Sequence, residues 1–198
     1  MSKVVKEGTN LFRIQLDCGQ SLRLANYFYE KGTVSLAGGD LNCAICFFDK
    51  AVYYDPYHQK AHAISGIVLM SLHKTKEALK CFKKALQVDS NDLNSLFNLA
   101  RCYSQSNQPL LAIDYFEIAI ECDPACAVAH YHLGAEYESV GIFHKAIKHF
   151  RLYILFSDIV DSNGRNSARE EIAWLSARTL HVVSGHITSN ILTGLRKL

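Results

Sequence analysis

The sequence predicts an all-α protein made of helix pairs stacked one after another. Three observations lead there: proline is scarce, small residues and phenylalanines recur at one fixed interval, and helical spacing links them. Three prolines in 198 residues is about 1.5 %, against a usual ~5 %, and long Ala/Leu/Lys/Glu stretches favour helix. Apolar residues make up 49 % of the chain, enough for a sizeable core. That excludes a disordered tail, a collagen-like rod and a disulfide-dominated miniprotein. The 21 basic and 19 acidic side chains leave a net charge of +2, too near neutral for a protein whose main task is gripping nucleic acid.

The fixed interval is 34 residues, as shown by Ala44, Ala78, Ala112 and Ala146. Four positions after each stands a phenylalanine: Phe48, Phe82, Phe116 and Phe150. Ala51, Ala85 and Ala119 follow in register, with Tyr153 in the fourth copy. Upstream, Gly32, Gly66, Ala100 and Gly134 keep the same step, as do Leu69, Tyr103 and Tyr137, with Ser35 in the first copy. Pro56 and Pro124 share a column with Ser90 and Asp158. Such self-similarity is the signature of a repeat architecture.

This column pattern resembles the tetratricopeptide repeat (TPR) family, whose unit is a helix–turn–helix. The resemblance implies a right-handed α-solenoid of four repeats, at 25–58, 59–92, 93–126 and 127–160. The usual large aromatic near each repeat's start is Phe28 in the first, then His62, Leu96 and His130. The chemistry of the columns is independent of the family name. Small residues on the first helix of a pair let its partner approach, and the phenylalanines fill the space between one pair and the next. Pro56 and Pro124 cannot continue a helix and mark where one pair stops, and Asp55-Pro56 and Asp123-Pro124 read as turn starters. Pro109 suits the first position of the third pair's second helix.

Before the repeats, residues 1–24 form a flank whose Leu11–Leu16 stretch fits neither helical nor strand period. After them, Ser162 to Arg165 read as a loop, and Ser167 with Glu170 as a capping box that opens a helix over 166–183. Ala168, Ile172, Leu175, Thr179 and Val182 make one stripe on that helix, the half-polar cap a repeat array needs. Trp174, the only tryptophan, lies beside it and is expected to pack on the fourth repeat. In the tail 184–198, Ile187, Ile191, Leu195 and Leu198 again fall at helical spacing.

Charge and glycine break the first eight residues before an apolar signal core could form. The apolar run Cys43–Phe48 is too short to span a bilayer. Seven cysteines, an odd number, suit a reducing compartment. A cytoplasmic location without membrane insertion is expected.

The sequence holds no phosphate-cradling glycine loop, nucleophile elbow or paired-histidine zinc helix, so no enzyme activity, cofactor or metal is expected. Cys43-x-x-Cys46 has no second pair to complete four ligands and reads as one packed and one surface cysteine. His130 and His132 point to different faces. His62 stands where the family packs an aromatic, and His144, Lys145, Lys148 and His149 read as a solvated basic face. Lys74, Lys76, Lys80, Lys83 and Lys84 form a second basic patch, interrupted in the next repeat by Asp114 and Glu117. A nucleic-acid track would be continuous and interleaved with aromatics.

The TPR resemblance further implies a concave surface lined by each repeat's first helix. Projected onto this chain, the candidate peptide-binding residues are Tyr29, Ile64, Ile67, Met70, Asn94, Phe97, Asn98, Arg101, Tyr131 and His132. Ile64, Ile67, Met70 and Phe97 would be anchor pockets; Asn94, Asn98 and Arg101 would bond a ligand backbone or carboxylate. The cation set by which some TPR domains clamp chaperone C-termini is missing: Tyr29, Thr33 and Ile64 stand at those places alongside Asn94 and Asn98. Two readings follow. One is a non-catalytic adaptor or chaperone binding a protein or peptide segment in the groove; bacterial type III secretion chaperones resemble it in size and repeat use. The other is a structural subunit of an assembly or homo-oligomer, using the convex face and the C-terminal tail.

Overall fold

A computed structural model describes residues 17–157 and 163–178. Eight helices follow in order: α1 (Cys18–Ala37), α2 (Leu41–Tyr54), α3 (Gln59–Ser71), α4 (Thr75–Val88), α5 (Leu93–Gln105), α6 (Pro109–Cys122), α7 (Ala127–Ser139) and α8 (Phe143–Phe156). Residues 163–178 are helical as well (α9), and no strand occurs among the described residues. The chain forms two compact units, Met1–Ser95 and Leu96–Leu198.

Helix starts follow local chemistry. Asp17 accepts the Gln20 backbone N–H at 2.6 Å, and its own N–H donates to the Gln20 side chain at 3.2 Å, a reciprocal capping box. Helix α1 therefore begins at Cys18, and the later part of the expected flank is helix. Asp40 caps α2 through the Cys43 N–H at 2.9 Å. His58 caps α3 with its ring, Nδ1 accepting the Ala61 N–H at 3.2 Å. Pro109 opens α6, where its missing N–H leaves no bond unmade.

The turns between pairs are made by aspartate more than by proline. Asp55, Asp89 and Asp123 follow α2, α4 and α6, each N–H bonding the alanine carbonyl four residues back. Each carboxylate also accepts the N–H two residues on, at 3.1 Å in all three, an Asx turn. Ser90 in the proline column therefore leaves the turn unchanged.

Inside the pairs, a column absent from the sequence reading sets the turn. Gly39, His73, Asn107 and Gly141 all have positive φ, at 80°, 58°, 56° and 79°, and they stand 34 residues apart. This left-handed conformation is free for glycine, tolerable for asparagine and strained for histidine. Replacing His73 with glycine is expected to raise stability by about 1 kcal/mol, read as a higher midpoint in urea; the Asn107→Gly gain should be smaller.

The core is built from the repeated columns. A Cβ on Gly32 would meet the Phe48 ring at 2.5 Å, one on Gly66 the Phe82 ring at 2.6 Å, and one on Gly134 the Phe150 ring at 2.9 Å. Each of these three phenylalanines thus lies directly on the glycine of its own pair; Phe116, whose pair has Ala100 at that place, is as inaccessible to solvent as they are. In the first unit, Phe48 also joins Ala44 of α2 and Val68 of α3 in one cluster, which locks the first pair to the second. Tyr153, at a column that is otherwise alanine, is buried as well, its ring edge-on to Tyr131 at 5.1 Å.

The last helix starts earlier than its capping box suggests. Residues 163–165 are helical, and the Arg165 guanidinium donates to the Ser157 carbonyl at 3.1 Å, tying the first turn to the end of α8. Ser167 consequently sits inside the helix. Ala168 and Leu175 of the stripe are fully buried. Trp174 beside them is 49 % exposed, contrary to the expectation that it packs away on the fourth repeat. Thr179 and Val182, the end of the expected helix, lie outside the described residues, as do residues 1–16 and the tail 184–198.

Candidate interaction surface

The first unit carries five of the ten candidate residues, and they divide by burial. Tyr29 and Ile64 pack against the Ala44–Phe48–Val68 cluster. Tyr29 lies over the His58 ring at 4.9 Å, and burial raises its hydroxyl pKa. Both are partly structural. Ile67 is 41 % exposed, Met70 is half-buried and Asn94 is exposed. The apolar surface offered by α3 is therefore Ile67 with Met70 at its side.

In the second unit the candidates converge. Phe97 meets the His132 ring edge-on at 5.4 Å, and both rest on the buried Phe116, at 5.6 Å each. The Arg101 guanidinium lies 5.9 Å from the Phe97 ring centre and reaches Asn98 Oδ1 at 3.4 Å. Burial lowers the His132 pKa, helped by the Arg101 charge, so this imidazole is neutral at pH 7. Tyr131 borders His132 but turns its ring edge to Phe150 and Tyr153, which makes it a wall of the patch. Phe116, read from sequence only as core, is the floor that aligns Phe97 and His132. The result is a half-buried aromatic surface with a cation and an amide at its edge. Such a surface can hold an apolar side chain and bond a carboxylate or carbonyl beside it.

The histidines placed in the aromatic column are hydrogen-bonding groups. His62 Nε2 donates to the Pro56 carbonyl at 3.0 Å, and His130 Nε2 to the Pro124 carbonyl at 3.1 Å, so each ring anchors the turn that precedes its helix. His149 departs from the expected solvated face. It is half-buried, its Nδ1 is 3.0 Å from His130 Nδ1, and it stacks on Tyr137 at 5.6 Å. With His130 donating from Nε2, its Nδ1 is left to accept, and His149 supplies the proton. Burial first, then the neighbouring His130 and Lys148, push the His149 pKa down to about 4. Beside them the Tyr137 hydroxyl donates to Glu117 and accepts from Lys145 Nζ at 3.1 Å.

Among the described residues no group of three or more His, Cys, Asp or Glu side chains converges on a metal-sized site. Cys43 and Cys46 are both exposed thiols, so neither is the packed one expected. The buried thiol is Cys102, pushed up to about 11 by desolvation. No described helix is long and apolar enough to cross a membrane.

Comparison with known proteins agrees with this architecture. The tetratricopeptide repeat family model matches residues 57–125. An uncharacterised protein of Methanocaldococcus jannaschii is 28 % identical over 79 residues, 40 % of this chain and 92 % of that protein. Other curated relatives are far longer, and the chain spans only 9 to 13 % of their length. Among solved structures, MamA superposes with a TM-score of 0.71 at 23 % identity, covering 77 % of this chain and 81 % of MamA. YrrB, described as a TPR protein with an unusual peptide-binding site, gives 0.70 at 20 % identity, covering 83 % and 84 %. Helix pairs at a 34-residue step, glycine-seated phenylalanines and these likenesses lead to one conclusion: the chain has the fold of tetratricopeptide repeat proteins, and its residues 57–125 match that family's model.

Proposed function

We propose that this chain is a non-catalytic, cytoplasmic interaction module that captures an extended or helical peptide segment of another protein. The observation that carries this reading is the Phe97–His132–Arg101 patch on its Phe116 floor, an aromatic surface left half open to solvent with a guanidinium at its rim. Its chemistry suits a peptide that brings one apolar or aromatic side chain with a carboxylate or free carbonyl close by. Ile67 and Met70 offer a smaller apolar surface of the same kind in the first unit. The likeness to YrrB, a peptide-binding TPR protein by its description, supports the reading at the level of the fold. An adaptor or chaperone would both use such a patch.

A double variant, Phe97→Ala with Arg101→Ala, should lose natural-partner capture from a native lysate by at least about tenfold, the scale of a lost hot spot. Its far-UV circular dichroism should stay unchanged, because neither side chain is fully buried. Undiminished capture by a folded double variant would sink the proposal. The structural-subunit reading rests on a different observation, the exposed Leu110 of α6 and Leu155 of α8. A stable oligomer in light scattering that Leu155→Glu dissociates would favour it.

A further inference from the structure

The Cys43-x-x-Cys46 pair on α2 has no part in the core. Both thiols are exposed and stand three residues apart within one helix, which puts them on the same face about one turn from each other. They are close enough to interact electrostatically. Neither joins the Ala44–Phe48–Val68 cluster, against which α2 packs Leu41 and Ile45 instead. No other thiols among the described residues are placed this way. Cys18, Cys81, Cys102 and Cys122 have no second cysteine three or four residues along their own helices, and Cys126 precedes α7 as its N-cap.

The spacing decides which chemistry suits the pair. Residues one helical turn apart hold their Cβ atoms about 5–6 Å apart, wider than the ~3.5–4.5 Å of a disulfide, so α2 would have to distort for the sulfurs to bond directly. A thiolate–metal bond is about 2.3 Å long, and an ion between two sulfurs spaces them up to ~4.6 Å with the helix undisturbed. The missing second Cys pair counts against a four-coordinate ion such as Zn(II). A soft monovalent ion needs no second pair, and thiolates select Cu(I). The flanking carboxylates of Asp40 and Asp49 are hard ligands that such an ion leaves aside, and Asp40 is already engaged by the Cys43 N–H. Two thiolates around one monovalent cation carry one net negative charge. Lys50, exposed and four residues beyond Cys46, lies on the same face and supplies a balancing cation. We propose that Cys43 and Cys46 form a two-coordinate site for Cu(I) on the exposed face of α2. Binding replaces two S–H bonds by two S–Cu bonds and releases two protons, with no electron transferred.

The test uses the full chain and Cu(I) itself, supplied without oxygen, with a non-thiol reductant and a coloured Cu(I) chelator as competitor. The chain should take a single ion from the chelator and gain an ultraviolet thiolate-to-metal charge-transfer band, with no change of mass in light scattering. Cys43→Ser and Cys46→Ser should each weaken binding by at least about 100-fold, because losing one thiolate turns a chelate into a single bond. Both side chains are exposed, so circular dichroism should not change. Cys18→Ser and Cys122→Ser remove exposed thiols elsewhere and should leave the affinity as it was. A roughly tenfold excess of Zn(II) should not displace the copper, for want of two more ligands. Full affinity in a folded Cys43→Ser or Cys46→Ser chain would overturn the proposal. So would copper lost with Cys18 or Cys122, or displaced by zinc. A mass that doubles on adding copper would place the ion between two chains and overturn it equally.

Discussion

Phe82→Ala will lower the unfolding free energy by about 3–5 kcal/mol, the usual range for emptying a buried phenylalanine site. The side chain is fully buried and lies on Gly66, where even one added carbon would meet it at 2.6 Å. Nothing on α3 can move in to fill the space, since the residue opposite has no side chain. The cost therefore includes both the lost transfer of the ring from water and the cavity left behind. Urea unfolding followed by circular dichroism should show a lower midpoint with an unchanged slope. Leu110→Ala, at a side chain 66 % exposed, is the control and should stay within about 0.5 kcal/mol. If the two variants lose similar amounts, the glycine-seated ring is not what holds the pair together.

Acidification from pH 7 to pH 4 will remove roughly 3 kcal/mol of stability through His149 alone, at about 1.36 kcal/mol for each pH unit of displacement. Its pKa in the folded chain is about 4, against an ordinary 6.5. Between those values the unfolded chain binds the extra proton and the folded chain does not, so stability rises with pH across that window. The contribution is fully present above about pH 6.5 and is lost as pH falls toward 4. The cause is structural. A proton added to His149 puts a charge in a half-buried site beside His130, Lys148 and Lys145, with Glu117 the nearby acid that opposes the shift. Burial lowers His62 and His132 too, and both act with the same sign. Melts between pH 4.5 and 7 should show a clear slope, and His149→Gln should flatten it to what His62 and His132 supply. A melting temperature indifferent to pH in that range would refute the buried pair.

The parts of the fold legible in advance were those in which one residue type recurs. Ala44 and its equivalents, the four phenylalanines and Gly32, Gly66 and Gly134 perform the same packing task in each copy, so their identity repeats with their position. The left-handed turn column was not legible, because Gly39, His73, Asn107 and Gly141 share a backbone angle and not a side chain. The turn between pairs was legible at Asp55-Pro56 and Asp123-Pro124; Asp89, with Ser90 after it, makes the same hydrogen bond without the proline that announces the other two. At the candidate site, Phe97, Arg101 and His132 were placed on one face by the family resemblance, while their common floor, Phe116, comes from another helix.

The sequence alone determined the helix-pair architecture and its period, because every pair must solve the same problem of bringing two helices close enough to bury one ring. Tertiary structure decided which polar side chains leave solvent. His130 and His149 sit on different helices, and neither spacing nor composition announces that they meet. A periodic pattern reports only the face a side chain takes on its own helix; its dielectric surroundings and hydrogen-bond partners are set by what the neighbouring helix places opposite.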